Sequence, residues 1–93
     1  MTEKVRARLI ITGRVQNVAY RASAQEEGLR LGVVGEIRNR PDGSVEALVE
    51  GSREVLEEFI RWCKSGPPAA RVAAVEVGWS AARGEYRDFR ITH

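Results

Sequence analysis

The feature that most constrains this chain is an apolar, β-rich run that stops in a short loop and leads into a helix-like segment. Residues 7–12 are predicted to form a strand, and residues 20–31 are predicted to form a helix. The loop amides and the first helical N–H groups have no intrahelical partners, and the helix dipole favours negative charge there. This order of elements therefore indicates a candidate anion site at residues 13–21.

Arg21 lies at the start of the predicted helix. Its planar guanidinium can bind a phosphate through two parallel N–H···O bonds. We interpret the segment as a phosphate-binding loop that ends at Arg21. An ordinary strand-to-helix turn with a surface arginine is an alternative that the residues alone leave open.

Composition favours one globular domain, residues 1–93, with 43% apolar and 30% charged residues. The net charge of +2 is too small to argue for a nucleic-acid or membrane partner. Cys63 is the only cysteine, which excludes an intrachain disulfide and a cysteine-based zinc site. Because no long apolar run indicates a signal peptide or a membrane span, we expect a cytoplasmic protein.

Local signals divide the rest of the chain into short elements. Gly32 is a natural residue to end the first helix, and Ser52 is a natural N-cap for a second one. The break at residues 65–68 contains Gly and two Pro and ends that second helix. The predicted strands lie at residues 33–39, 44–50, 71–79 and 89–91.

The resulting order, β-α-β-β-α-β with a short terminal strand, is the split βαβ, ferredoxin-like arrangement. We therefore predict an α/β (α+β) sandwich in which two helices pack on one face of an antiparallel sheet. This fold hosts enzymes, ligand sensors and RNA-binding modules, so the fold does not determine the function.

Several kinds of site are disfavoured by the residues present. There is no glycine-rich nucleotide loop, and the only histidine, His93, is terminal, which makes a Ser-His or Cys-His relay implausible. Cys63 falls on the apolar face of the second predicted helix and is expected to be a buried hydrophobe. Trp62 and Trp79 are expected to pack in the core or at its rim, and an aromatic fraction of 6% argues against a base-stacking surface.

Asn39 ends the second predicted strand, and the residues around it indicate only that it flanks a turn. The chain nevertheless carries three linked motifs at fixed spacing. These are G-R-V-Q-x-V-x-Y-R at 13–21, L-G-V-V-G-x-I-R-N at 31–39 and D-G-S-V-E at 42–46. Together with the closing F-x-I at 89–91, they resemble the acylphosphatase family over almost the whole chain.

The resemblance implies a ferredoxin-like sandwich that hydrolyses acyl phosphates to a carboxylate and phosphate. Arg21 matches the arginine that binds the substrate phosphate, and Asn39 matches the asparagine that orients the attacking water. The phosphate-binding amides match Val15, Gln16, Asn17, Val18 and Ala19. The resemblance implies no metal and no cofactor.

The expected partners follow from that resemblance. They are a small-molecule acyl phosphate as substrate and inorganic phosphate as product or inhibitor. We expect no nucleic-acid or membrane partner, and a monomer. The alternatives are a non-catalytic phosphate-binding module of the same fold and an RNA-binding module, which would need exposed aromatics and a basic sheet face.

Five positions depart from the family pattern. Asn17 and Ala19 stand where glycine is usual or frequent, and a glycine-only backbone conformation at 17 would distort the loop. Glu36 stands where an aromatic residue is common; pointed at the site, it would repel an anionic substrate. Tyr20 replaces the commoner Phe, and Gly28, in place of Ala, is expected to loosen the first helix.

Overall fold

The computed structural model describes residues 3–92 and contains five strands and two helices. In chain order they are β1 (Lys4–Arg14), α1 (Tyr20–Leu31), β2 (Val34–Asn39), β3 (Val45–Ser52), α2 (Arg53–Ser65), β4 (Arg71–Ala81) and β5 (Phe89–Ile91). The predicted element order is therefore confirmed. The polar residues 1–4 by themselves indicate a loose start to the chain; residues 1 and 2 lie outside the described residues, and Lys4 already belongs to β1. His93 also lies outside them.

The strands form one sheet in the order β4-β1-β3-β2-β5, with both helices packed against it. The first four strands in that order pair antiparallel, as predicted, whereas β5 runs parallel to β2. Strand β3 is at the centre of the sheet, between β1 and β2. Strand β1 is longer than the predicted 7–12 because its first residues pair with the end of β3, from Lys4 opposite Ser52 onward.

A bulge interrupts the pairing of β1 with β4 between Thr12 and Gly13. Gly13 has φ of +116°, and a Cβ there would overlap the carbonyl oxygen of Arg71. Only glycine permits this backbone and this close approach without strain. After the bulge, Gly13 and Arg14 still pair with Val72 and Arg71 of β4, and the loop before α1 follows Arg14.

Helix α2 begins and packs as its residues predict. The Ser52 hydroxyl caps it by accepting a hydrogen bond from the Val55 amide at 3.3 Å. Leu56, Phe59 and Cys63 on its inner face are fully buried. The prediction that Cys63 is a buried hydrophobe is confirmed.

Gly28 lies where α1 crosses β5. A Cβ at this position would overlap the ring of Phe89, which packs edge-on against Phe59 with ring centroids 5.7 Å apart. Glycine here therefore allows α1 to approach the sheet closely. The helix propensity lost at Gly28 is offset by this packing, which is a contact that local sequence does not reveal.

The opposite face of the sheet carries interspersed charges. The Glu46 carboxylate accepts hydrogen bonds from Arg8 Nε at 2.6 Å and from Arg38 Nε at 2.9 Å. At one end of this face the Glu50 carboxylate accepts the amides of Arg83 and Gly84 at 2.9 and 3.1 Å. A face of paired opposite charges does not suit RNA binding, which requires a basic surface with stacking aromatics.

Candidate active site

Arg21 and Asn39 meet at one small hollow, here called the Arg21 hollow. Arg21 comes from the first turn of α1 and Asn39 from the last position of β2, so topology alone did not require them to be neighbours. The hollow has a volume of about 220 Å³. It is lined by Val15, Asn17, Ala19, Tyr20, Arg21, Ala22, Asn39 and Ile91.

The β1–α1 loop (residues 15–19) turns sharply through two left-handed residues. Asn17 and Ala19 both have φ of +62°. These are the two positions at which the family pattern favours glycine. The conformation lies in the left-handed α region, which Asn adopts readily and Ala adopts at some cost, so it is not restricted to glycine. Asn17 is therefore compatible with the loop.

Helix α1 begins at this loop without a capping side chain. Its N-cap residue is Ala19, with no side-chain hydrogen bond to the first turn, and no acidic residue lies in that turn. The first N–H groups of the helix therefore have neither a capping side chain nor a neighbouring carboxylate of that turn. An anion at this end gains from these donors and from the helix dipole.

The Arg21 guanidinium makes no ion pair and no hydrogen bond to a side chain or backbone group within residues 3–92. Many other arginines of this chain are paired; Arg8 and Arg38, for example, both bind Glu46. A guanidinium without an internal carboxylate partner keeps its donors for a ligand.

Asn39 carries a buried acceptor with no donor. Its Oδ1 is shielded from solvent and finds no hydrogen-bond partner in the described part of the chain. A buried polar atom left unpaired costs about 1–3 kcal/mol, so such an atom in a native structure calls for an explanation. Asn39 lines the Arg21 hollow, and its side-chain amide is a group that can both donate hydrogen bonds to a water molecule and accept them from it.

Of the remaining loop residues, Val15 also lines the Arg21 hollow, whereas Gln16 and Val18 do not. Val15 and Val18 are buried in the core, with 1% and 9% of their surface exposed. Gln16 does not line the Arg21 hollow, because its side chain points to the turn between β2 and β3 and binds two carbonyl oxygens there.

Ile91 is the site residue that the sequence analysis missed. It was predicted only as part of a short last strand. The parallel pairing places Ile91 opposite Ile37, two residues before Asn39, and so beside the hollow. No local signal reveals that β5 pairs with β2, so the apolar wall that Ile91 forms was not predictable from its neighbours in the chain.

A second hollow of about 320 Å³ lies on the other face of the sheet and includes Glu36 and Tyr86 among its lining residues. Along β2, Glu36 alternates with the buried Gly35 and Ile37, so its side chain points away from the helices and from Asn39. Glu36 therefore does not face the Arg21 hollow. Three carboxylates line this second hollow against two arginines, one of which, Arg90, is paired with Asp88, and the hollow lacks the β1–α1 loop. It is therefore less suited to a phosphate than the Arg21 hollow.

The tryptophans and Cys63 take packing positions. The Trp62 ring lies 5.7 Å from the Tyr20 ring, and Trp79 lies under the Arg53 guanidinium at 4.0 Å. Burial raises the pKa of the Cys63 thiol to about 12, which makes it a poor nucleophile.

Within residues 3–92, no three Asp, Glu, His or Cys side chains group as metal ligands, and no helix is long and apolar enough to cross a membrane.

Comparison with known proteins gives a consistent result. The acylphosphatase family model matches residues 7–91. The chain is 55% identical over 91 residues to an acylphosphatase of Anaeromyxobacter dehalogenans, a match that covers 98% of each chain. It is 52% identical over 90 residues to an acylphosphatase of Aeropyrum pernix, covering 96% of this chain and 89% of that one. The crystal structure of acylphosphatase from Bacillus subtilis superposes with a TM-score of 0.93 at 34% identity, covering 96% of this chain and 99% of that chain. The chain therefore belongs to the acylphosphatase family of enzymes.

Proposed function

We propose that this enzyme hydrolyses the carboxyl–phosphate bond of small acyl phosphates, releasing a carboxylate and inorganic phosphate. In this proposal Arg21 and the amides of residues 15–19 bind the phosphoryl oxygens, and Asn39 holds the attacking water. The observation that carries it is the hollow that Arg21 and Asn39 both line, since within residues 3–92 the Arg21 guanidinium has no ion pair and the buried Asn39 Oδ1 has no hydrogen-bond partner.

The chemistry explains why these groups are sufficient. An acyl phosphate expels a carboxylate, which is a good leaving group and needs no general acid. The enzyme has to stabilise charge on the phosphoryl oxygens and hold a water in line with the bond that breaks. The guanidinium and the amides supply the first, and a side-chain amide, which donates and accepts hydrogen bonds, supplies the second. This route asks for no metal ion.

The apolar part of the hollow suits the acyl group. Ile91 and Ala22 line it beside the polar groups. When the acyl chain of a substrate lies against these residues, its phosphate group is directed toward Arg21. A simple alkyl phosphate has a poor alkoxide leaving group and no acid to protonate it, so we expect little turnover of such esters.

The test is ultraviolet-monitored hydrolysis of benzoyl phosphate by the wild type, Arg21→Ala and Asn39→Ala. Arg21→Ala is expected to lose activity and to bind inorganic phosphate weakly. Asn39→Ala is expected to lower kcat about a hundredfold or more while phosphate still inhibits competitively. Arg30→Ala, at the far end of the same helix and hydrogen-bonded to the half-buried Glu27, is the matched control and is expected to keep wild-type kinetics.

Phosphate binding without turnover by the folded wild type would contradict the proposal and indicate an anion-binding module. Comparable turnover of an alkyl phosphate would contradict the leaving-group argument.

We further propose that inorganic phosphate inhibits as the product and that the enzyme acts as a cytoplasmic monomer. Gel filtration with light scattering tests the monomer.

A further inference from the structure

Gln16 connects the two halves of the Arg21 hollow. Its Nε2 donates one hydrogen bond to the Arg40 carbonyl oxygen at 2.8 Å and another to the Ser44 carbonyl oxygen at 2.9 Å. Gln16 belongs to the β1–α1 loop, and its two acceptors begin and end the β2–β3 turn (residues 40–44). Both hydrogens of one amide nitrogen are therefore used to fix one loop to the other.

One of these acceptors is the carbonyl oxygen of Arg40, the residue directly after Asn39. The donor lies between Val15 and Asn17, which both line the hollow. The two bonds thus join the phosphate side of the proposed site to the water side. Along the chain, the two loops are separated by the whole of α1 and β2.

The β2–β3 turn is held by hydrogen bonds of its own, so we expect a bond to the turn to affect the position of Asn39. The Arg40 amide donates to the Ser44 carbonyl at 2.8 Å, and Asp42 Oδ1 accepts the Ser44 amide at 2.9 Å and the Ser44 hydroxyl at 2.6 Å. These bonds, from the Ser44 hydroxyl first and the Ser44 amide second, hold the pKa of Asp42 below its ordinary value. Asp42 is therefore ionised and bonded to the turn at neutral pH.

We propose that Gln16 is a positioning residue for hydrolysis, which sets the distance and angle between the bound phosphoryl group and the water on Asn39. This rests on the proposed function. The Gln16 side chain touches neither group, since it is bonded to the turn and does not line the hollow. In-line attack needs the water within a narrow range of positions, and a misplacement of about 1 Å costs about a hundredfold in rate.

The decisive variant is Gln16→Met, which keeps the length of the side chain and removes both donors. We expect kcat for benzoyl phosphate to fall about ten- to a hundredfold, whereas the inhibition constant of inorganic phosphate changes less than about threefold. The phosphate side keeps its shape because Val15 and Val18 anchor it in the core. An unchanged kcat would overturn the proposal, as would a loss confined to phosphate affinity.

Gln25→Met is the matched control. Gln25 Nε2 also donates a 2.8 Å hydrogen bond to a backbone carbonyl, that of Phe89, but it joins α1 to β5 and not the two loops. It loses the same kind of contact, and its kcat is expected to stay within about twofold of wild type. An equal fall in kcat in both variants would show a general structural effect and would contradict the proposal.

A double-mutant cycle with Asn39→Ala separates positioning from stability. If Gln16 acts through Asn39, Gln16→Met lowers kcat less than about twofold in the Asn39→Ala background. If the kcat of the double variant falls by the product of the two single-variant factors, the proposal is overturned. If the methionine variant does not fold, Gln16→Asn, which keeps the amide but is one methylene too short, takes its place with the same expected outcomes. Inactivity of the wild type would contradict the proposed function, whereas an active wild type with unaffected Gln16 variants would contradict this inference alone.

Discussion

The Tyr20 hydroxyl donates a buried hydrogen bond of 2.7 Å to the carbonyl oxygen of Cys63. Cys63 lies in the last turn of α2, where backbone carbonyls have no intrahelical donors. Tyr20, the first residue of α1, thereby caps the end of α2 and holds the two helices together beside Arg21. The hydroxyl that distinguishes this chain from the commoner Phe therefore has a structural role.

Tyr20→Phe is expected to lower the free energy of unfolding by about 1–2 kcal/mol, because the Cys63 carbonyl loses its buried donor while the ring still fills its site. Urea unfolding at neutral pH measures this. Stability within experimental error of the wild type would show that the carbonyl finds another donor. Ring packing on Trp62 is the same in both proteins, so it does not confuse the comparison.

Alkaline pH is expected to destabilise the protein through the same pair. Burial raises the pKa of Cys63 from 9.0 to about 12, and burial, with Cys63 beside it, also raises the pKa of Tyr20. The unfolded chain releases these protons at lower pH than the folded one does. The contribution of the two groups to stability is therefore fully present below about pH 9. It falls by about 1.4 kcal/mol per pH unit above the ordinary pKa of each group, which is 9.0 for Cys63 and 10.0 for Tyr20.

Urea unfolding at intervals from pH 8 to pH 11 gives that slope, and Cys63→Ala is its control. The variant leaves a small cavity and is less stable at pH 8, but its stability falls less steeply because only Tyr20 still contributes. An identical slope in both proteins would contradict the assignment to Cys63.

Gly28→Ala is expected to destabilise the fold despite the higher helix propensity of alanine. The propensity gain is about 1 kcal/mol, whereas forcing a methyl group against the buried Phe89 ring costs about 1–3 kcal/mol. Gly78→Ala, where the added methyl group meets open space, is the control. A Gly28→Ala protein more stable than wild type would show that Phe89 moves aside freely.

Ala19→Gly is expected to stabilise the protein by about 0.5–1 kcal/mol. Ala19 has φ of +62°, a left-handed conformation that costs an L residue with a Cβ about 1–2 kcal/mol, and glycine's greater unfolded entropy offsets part of the gain. Asn17→Gly should change stability less, because Asn adopts this conformation readily. Thermal unfolding of both variants tests the order, and a larger gain at position 17 would reverse the argument.

Glu46→Gln is expected to cost about 1 kcal/mol, reduced by solvent screening because both arginine partners are partly exposed. Burial alone would raise the pKa of Glu46, but hydrogen bonds from Arg8 and Arg38 outweigh burial and lower it. Its stabilising effect is thus present above its ordinary pKa of 4.5 and lost as the pH falls below that value. Unfolding curves of wild type and variant should therefore converge on acidification. Curves that stay equally far apart down to pH 3 would show that Glu46 does not titrate as described.

Elements with local signals were predictable. Gly32 ends α1 with φ of +80°, and Ser52 caps α2, both as expected from residue type and position. Element order then limits the topology to few choices, because connections are short and strands that follow one another tend to pair. Arg21 and Asn39 were predicted through the resemblance, since residue chemistry alone left each with an ordinary alternative.

Features that depend on contacts between distant residues were not predictable. The parallel pairing of β5 with β2 brings Ile91 to the hollow, and the close crossing of α1 over Phe89 explains Gly28. The extra length of β1 depends on β3 and β4 beside it. In each case the determinant lies many residues away, where short-range periodicity carries no information.

The start of α1 has a thermodynamic consequence. With Ala19 as its N-cap, the helix lacks the side-chain oxygen that usually satisfies a first-turn amide, and such a cap contributes about 1 kcal/mol. An anion that accepts hydrogen bonds from those amides takes the place of the missing cap as it binds. Folding and ligand affinity are therefore linked through one set of donors. Under the proposed function, part of the stability of this end of the molecule comes from the bound ligand, and we expect the melting temperature to rise with the concentration of inorganic phosphate.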